Sequence, residues 1–356
     1  MRRELHDGRE DGLEPLEPLD VRSAGSFAEM LDAMGKTAFG GRELGEALDV
    51  LRAMTTDADC LVVLTVSGAM TIAKMGKVIC EMITAGMADI VVSTGAIMAH
   101  GLSESVGLTH YKYDPSKSDR ELYEAGYNRV YDTLEMESNL DDVAKVVAEV
   151  MDRFDWPEPV GSAEINRLVG RRLSEVRQMP SVLGCAYERD VPVYVPAFTD
   201  SEMGLDIATF SLKRREGAGN QKDLDAFFSA APRFNPYRDL YDYAKRVLKA
   251  KRLGIFTIGG GVPRNWAQQI GPFIEITNVR VGTGFAPPRF QYGVRICPEP
   301  VHWGGLSGCT YAEGVSWGKF LSPEEGGRFA EVHCDATIAW PILIRAMLED
   351  MGELKP

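Results

Sequence analysis

The sequence predicts an α/β fold, a doubly wound, mostly parallel sheet in a single body with extra helices, and three observations carry that reading. Continuous apolar runs at 61–66 and 90–92 are bounded by turn residues, as in strands buried on both faces. Between them a helical stretch at about 70–85 makes strand, helix and strand a βαβ unit with a right-handed crossover. Further strand candidates at 191–195, 254–258, 294–297 and 332–333 are separated by helical spacing or turn residues. In such a sheet the ligand edge is the carboxyl end of the strands.

Taken in order, residues 1–25 are rich in Glu, Asp, Arg and Pro, show no apolar period, and read as a mobile or extended arm. Residues 26–356 then read as one domain. Ser26 can cap a helix presenting Phe27, Met30, Leu31 and Met34, and 42–54 continues with Leu44, Ala47, Leu48 and Leu51 at helical spacing. Helices follow at 140–154, 163–176 and 237–253, with a last one at about 337–349. No internal repeat or linker divides the chain.

At 356 residues there is ample length to bury a core, and 45% apolar with 26% charged residues is ordinary globular composition. A formal net charge of -13 disfavours nucleic acid, and it suits either solubility or a cationic ligand. The cysteines (Cys60, Cys80, Cys185, Cys297, Cys309, Cys334) form no pair at zinc or redox spacing, and the histidines form no i, i+4 pair. The expectation is a reducing compartment and no metal. Without a signal-peptide core or an apolar run near the roughly 20 residues of a membrane helix, no membrane and a cytoplasmic setting are expected.

The segment 313–320, EGVSWGKF, carries the candidate chemistry. A lysine in water, with a pKa of about 10.4, stays protonated. Burial beside an aromatic ring lowers that value, and the neutral amine adds to imines and carbonyls. Lys319 follows Trp317 and Gly318, with Gly304, Gly305, Ser307 and Gly308 just upstream. Alone, the segment also fits a solvated lysine at a helix end. At the strand ends gather Ser67, Thr71, Thr94, Gly95, Asp200, Gly259, Gly260 and Asp335, small and polar types that suit a dinucleotide. Tight βα turns call for the same residues in any α/β protein, and no GxGxxG follows the first strand.

Together, IGGGVPRNW (258–266), PAFTDSEMG (196–204), GGLSG (304–308), EGVSWGKF and CDATIAWP (334–341) resemble the deoxyhypusine synthase family, in order and over most of the chain after Ser26. The resemblance implies a Rossmann-like body, bound NAD, and a homotetramer with active sites at subunit interfaces. It makes Lys319 the lysine that carries an aminobutyl group as an imine, with Trp317 and Glu313 lining the polyamine pocket. It assigns NAD contacts to Ser67, Thr71, Thr94, Gly95, Asp200, Gly259, Gly260, Asp335 and Ala336.

The departures bear on the substrate. Asn265 stands where the protein-modifying members have a histidine, and Leu306 where they have an aspartate. A second aspartate is displaced: Leu205 takes its place, with Asp206 adjacent and Glu202 nearby. Ala99 and His100 replace acids after Thr94. This pattern resembles the bacterial branch, some of whose members transfer the aminobutyl group of spermidine to putrescine and make homospermidine. The candidate substrate-binding set is therefore Trp317, Glu313, Asn265, Asp206 and Glu202. Two alternatives stay open: deoxyhypusine synthase itself, acting on a lysine of the hypusine-bearing translation factor, and a non-catalytic NAD-binding relative.

Overall fold

In the computed structural model, which describes residues 5–153, 159–176, 179–213, 224–229 and 232–353, six parallel strands make the central sheet. In chain order the strands are β1 (Cys60–Val66), β2 (Ile90–Ser93), β3 (Tyr111–Lys112), β4 (Tyr127–Val130), β5 (Thr133–Met136), β6 (Val193–Tyr194), β7 (Arg252–Ile258), β8 (Tyr292–Ile296) and β9 (Arg328–Val332). The central sheet runs β6-β2-β1-β7-β8-β9, while β3, β5 and β4 form a small antiparallel sheet of their own. Counting the six parallel strands alone, the order is 3-2-1-4-5-6, the doubly wound order with its switch point between β1 and β7.

Alternation along β1 explains the two helical layers. Val62, Leu64 and Val66 face a layer in which Leu31, Leu48, Leu51, Ile79 and Trp340 are buried, on the helices Phe27–Gly35, Phe39–Thr56, Gly76–Thr84 and Ala336–Asp350. Val63 points the other way, with Ile255 of β7, and packs among Tyr243, Ala267, Ile270 and Tyr311 from the helices Pro236–Val247, Gly261–Gln268, Ile270–Val281 and Tyr311–Ser316. Within that second face the Thr65 and Thr257 hydroxyls bond each other at 2.9 Å, so neither is left unsatisfied.

Several boundaries differ from the sequence reading, each for a local reason. The stretch 70–85 is helical only from Gly76, because Gly68 and Lys74 adopt left-handed φ of 77° and 65° and hold the residues between them in turns. The strand expected at 191–195 shrinks to Val193–Tyr194 between Pro192 and Pro196, which lack N–H donors. The helix expected at 237–253 ends at Val247, and Leu253 instead enters β7. At 332–333 the strand is β9, Arg328–Val332, an edge strand whose charged residues hide it. Of the helix expected at 140–154, Glu137–Arg153 is observed and Phe154 lies outside the described residues. Residues 5–25 form no helix or strand, and no helix among the described residues is long and apolar enough to cross a membrane.

The first two helices meet at a pair of glycines: a Cβ on Gly45 would lie 2.4 Å from the Gly35 backbone, whereas one on Gly40 meets nothing within 4 Å. Gly45→Leu is therefore expected to cost about 2–3 kcal/mol in urea unfolding. Gly40→Ala is expected to add about 0.5 kcal/mol. Equal effects at the two sites would refute this packing.

Candidate active site

The segment bearing Lys319 is built on the short helix Tyr311–Ser316, capped by Thr310, whose hydroxyl accepts from the Glu313 N–H at 3.1 Å. Gly318 ends it in the left-handed region at φ 67°. Gly318 N–H then bonds the Val315 carbonyl at 3.0 Å and Lys319 N–H bonds the Gly314 carbonyl at 3.1 Å, a Schellman closure. The glycine before the lysine thus serves the turn. Beyond it, Phe290 N–H donates to the Lys319 carbonyl at 2.9 Å, and buried Phe320 packs edge-on against Tyr311 at 4.9 Å. The lysine backbone is held on both sides.

Its side chain is 9% exposed and lines a cavity of 310 Å³ with Arg264, Asn265, Gln268, Leu306, Cys309, Glu313 and Trp317. Nζ donates to Asn265 Oδ1 at 3.1 Å and lies 5.9 Å from the Trp317 ring centre. Its hydrogen-bond partner is therefore neutral. Burial pulls the amine below its ordinary value; Cys309 opposes this, Arg264 adds to it and Glu313 opposes it. Arg264, Gln268 and Cys309 were missed in the sequence, although Arg264, Asn265 and Gln268 share a helix face at i, i+1 and i+4.

The sheet register brings the other expected positions to one edge. Val66 pairs with both Ser93 and Ile258, so Ser67, Thr94 and Gly259 emerge side by side, with Asp200 beyond β6 and Asp335 and Ala336 beyond β9. The Ser67 hydroxyl donates to the Ile258 carbonyl at 3.1 Å and accepts from Gly260 N–H at 2.8 Å, while the Thr71 hydroxyl donates to the Ala96 carbonyl at 3.0 Å. Those protons are committed to the turns. Asp335 caps the last helix, accepting from Thr337 N–H at 2.8 Å. Thr94 Oγ1, by contrast, is buried without a partner. A Cβ on Gly260 would come within 2.6 Å of Ser307 Cα, and one on Gly95 within 2.2 Å of Ser201 Cβ, so these glycines let strand-end loops interlock. An orphaned hydroxyl above a glycine cradle fits a polar ligand laid across this edge.

Glu202 and Asp206 do not join Lys319 within one chain. They lie on the helix Glu202–Lys213 beyond β6 and do not line the lysine's cavity. Asp206 Oδ2 is buried and unpartnered, and its carboxyl is pushed up to about 6, by burial first and by Glu202 second. Beyond β2, a cluster not foreseen from sequence gathers His100, His110 and buried Glu135. Burial works against the Glu135 charge, but hydrogen bonds with His100, His110 (3.2 Å) and Ser103 (2.7 Å) outweigh it and hold the carboxyl far below its usual range. Lys74 Nζ lies 2.6 Å from His110 Nδ1. An ammonium only donates, so against a charged Lys74 the ring accepts at Nδ1 and donates from Nε2 toward Glu135.

Fold and site thus define a doubly wound α/β protein with a polar strand-end cradle and a buried amine beside a neutral amide. A family model for deoxyhypusine synthase matches residues 29–347, and the chain belongs to the deoxyhypusine synthase family. It is 33% identical over 347 residues, 96% of this chain and 92% of the other, to "Probable deoxyhypusine synthase 2" of Methanosarcina acetivorans. It is 30% identical over 336 residues, 93% and 88% of the two chains, to a "Deoxyhypusine synthase-like protein" of Chlorobaculum parvum. A crystal structure assigned as a deoxyhypusine synthase from Entamoeba histolytica shares the fold, with a TM-score of 0.57 at 12% identity, covering 93% of this chain and 96% of that one. The resemblance read from the motifs therefore holds, and archaeal and bacterial relatives stand at comparable identity.

The raised Asp206 carboxyl carries a sign. Its folded value exceeds the unfolded one, so between roughly pH 4 and 6 the folded state binds more protons and stability falls as pH rises. Asp206→Asn should raise the melting temperature at about pH 7 and leave it unchanged at about pH 4. An equal gain at both would assign the effect to packing.

Proposed function

We propose that the protein is an NAD-dependent aminobutyltransferase that works through an imine on Lys319 and passes the group to putrescine, giving homospermidine. The observation that carries this reading is the Lys319 amine itself, buried, bonded at 3.1 Å to an uncharged amide, and drawn toward its neutral form. Bound NAD, held along the edge from Thr94 and Asp200 to Gly259, Gly260 and Asp335, supplies the chemistry of removing and returning hydride. The residues of the chain do the rest. Neutral Lys319 adds through its lone pair to the carbon of the oxidised polyamine's imine, and the C–N bond to diaminopropane breaks as that amine leaves with a proton. The aminobutyl group stays on Lys319 as an imine until the acceptor amine adds to the same carbon and expels the lysine. Asn265 Oδ1, by accepting one N–H, aims the lone pair. Glu313 at the mouth pairs with the polyamine's far ammonium, and the Trp317 face lies along its methylenes.

Leu306 supports a free diamine as acceptor, since it makes one cavity wall apolar. Exposed Trp303, Trp317 and Leu306 support assembly with a second copy. A second reading, deoxyhypusine synthase proper, is favoured by the names of the archaeal relatives.

Purified protein given NAD, spermidine, putrescine and a hypusine-type acceptor protein is expected to make homospermidine, with Lys319→Arg abolishing it because a guanidinium stays charged. Predominant labelling of the acceptor protein would transfer the assignment to the second reading. Glu313→Gln is expected to lower kcat/KM about 10- to 100-fold, as loss of one charge-assisted contact does.

A further inference from the structure

A second cation is buried in the lysine's cavity, and among the described residues no carboxylate bonds it. Arg264, adjacent in sequence to Asn265, is 2% exposed, and its Nε and Nη2 are buried without a partner. Its guanidinium carbon lies 5.3 Å from the Tyr311 ring centre. The carboxylate closest in chemistry, Glu331, is already spent: its Oε2 takes Arg295 at 3.0 Å and its Oε1 takes the Tyr311 N–H at 2.6 Å. Arg295 also donates to the Ser307 and Cys309 carbonyls at 2.6 and 2.8 Å, so it anchors the loop over the cavity. Glu331 is therefore taken up by one buried arginine, and the surplus positive charge sits on the other, Arg264. Gln268 Nε2, also buried and unpartnered, adds a donor rather than an acceptor.

An uncompensated buried charge is strongly unfavourable, so its retention calls for a use. A neighbouring cation is one of the two established ways to keep a lysine amine neutral, the other being desolvation. We propose that the Arg264 guanidinium, left without a bonded counter-ion in the cavity it shares with Lys319, is a positioning charge that adds to burial in holding that lysine in its neutral, nucleophilic form. The inference rests on the reading of Lys319 as the covalent amine. The other groups around Lys319 do not do this work. Glu313, on the helix Tyr311–Ser316, and the Cys309 thiol act in the opposite sense. Glu275, on the helix Ile270–Val281, places its carboxylate beside Gly318, where a Cβ would meet Oε1 at 3.1 Å, and it does not line the cavity. Asn265 and Trp317 are uncharged. Among these neighbours Arg264 is the cation that disfavours a second positive charge.

The test reads Lys319 directly and without substrate. Competitive acetylation of the whole protein with trace acetic anhydride across a pH series, followed by peptide mass spectrometry, gives a titration midpoint for each lysine. In the wild type, Lys319 should titrate below the exposed lysines. In Arg264→Met and Arg264→Gln its midpoint should rise by about one pH unit. Arg264→Lys should bring it back toward the wild-type value. Arg264→Met, which removes an unpaired buried charge in favour of apolar packing, should melt no lower than wild type and so keeps the test open if Arg264→Gln folds poorly. An unmoved midpoint in either folded neutral variant, or a rise in Arg264→Lys as large as in Arg264→Met, overturns the assignment whatever products are formed. A raised midpoint in a protein that makes no aminobutyl product keeps the role of Arg264 and sinks the proposed activity instead.

Discussion

The in-register pairing of β1 with β7 is the constraint on which the rest of the molecule depends. It sets residues 60–66 beside 252–258, so the two chain halves leave the sheet at one edge and spread to opposite sides of one seam, toward β2 and β6 on one side and β8 and β9 on the other. Ser67 stitches the end of that seam, bonding both the Ile258 carbonyl and the Gly260 N–H. Residue 259 is glycine there because φ is 75° and a Cβ would meet the Ser67 hydroxyl at 2.3 Å. The helix that starts at Gly261 is thereby aimed across the second face of the sheet, and Arg264, Asn265 and Gln268 go with it to the lysine's cavity.

The lysine is held by a different device. Its backbone is fixed by the Gly318 turn, the bond from Phe290 and the Phe320 anchor, so the side chain has little choice but to enter the cavity between two helices. Charge at the site is then divided. The helix Gly261–Gln268 presents amide and guanidinium groups, the helix Tyr311–Ser316 presents Glu313 at the mouth, and Glu202 and Asp206 lie beyond β6 on the far side of the seam. A cationic substrate and a neutral amine place opposite demands on one pocket, and separating acids from the amine meets both.

The fold class was legible because β1 and β2 are almost wholly apolar, and only a sheet covered on both faces buries such runs. Short or charged strands were legible only in part. Flanking prolines cut β6 to two residues, and Arg328 and Glu331 mask β9. The antiparallel pair of β4 and β5 passed unnoticed because its residues alternate with little apolar contrast. At the site, the motif around Lys319 gave its neighbours in sequence and, through the family resemblance, Asn265. It could not give the His100, His110 and Glu135 cluster, whose members are brought together from separate elements. Nor could it show that Arg264 lacks a counter-ion, since that depends on how Glu331 is shared in three dimensions.

The proposed function requires Lys319 to be the amine that holds the transferred group. Borohydride added during turnover with NAD and spermidine, followed by peptide mapping by mass spectrometry, reads this most directly. The expected result is a reduced aminobutyl adduct on the peptide containing Lys319 and none in Lys319→Arg. An adduct on any other lysine, or product formation with no adduct on Lys319, would contradict it.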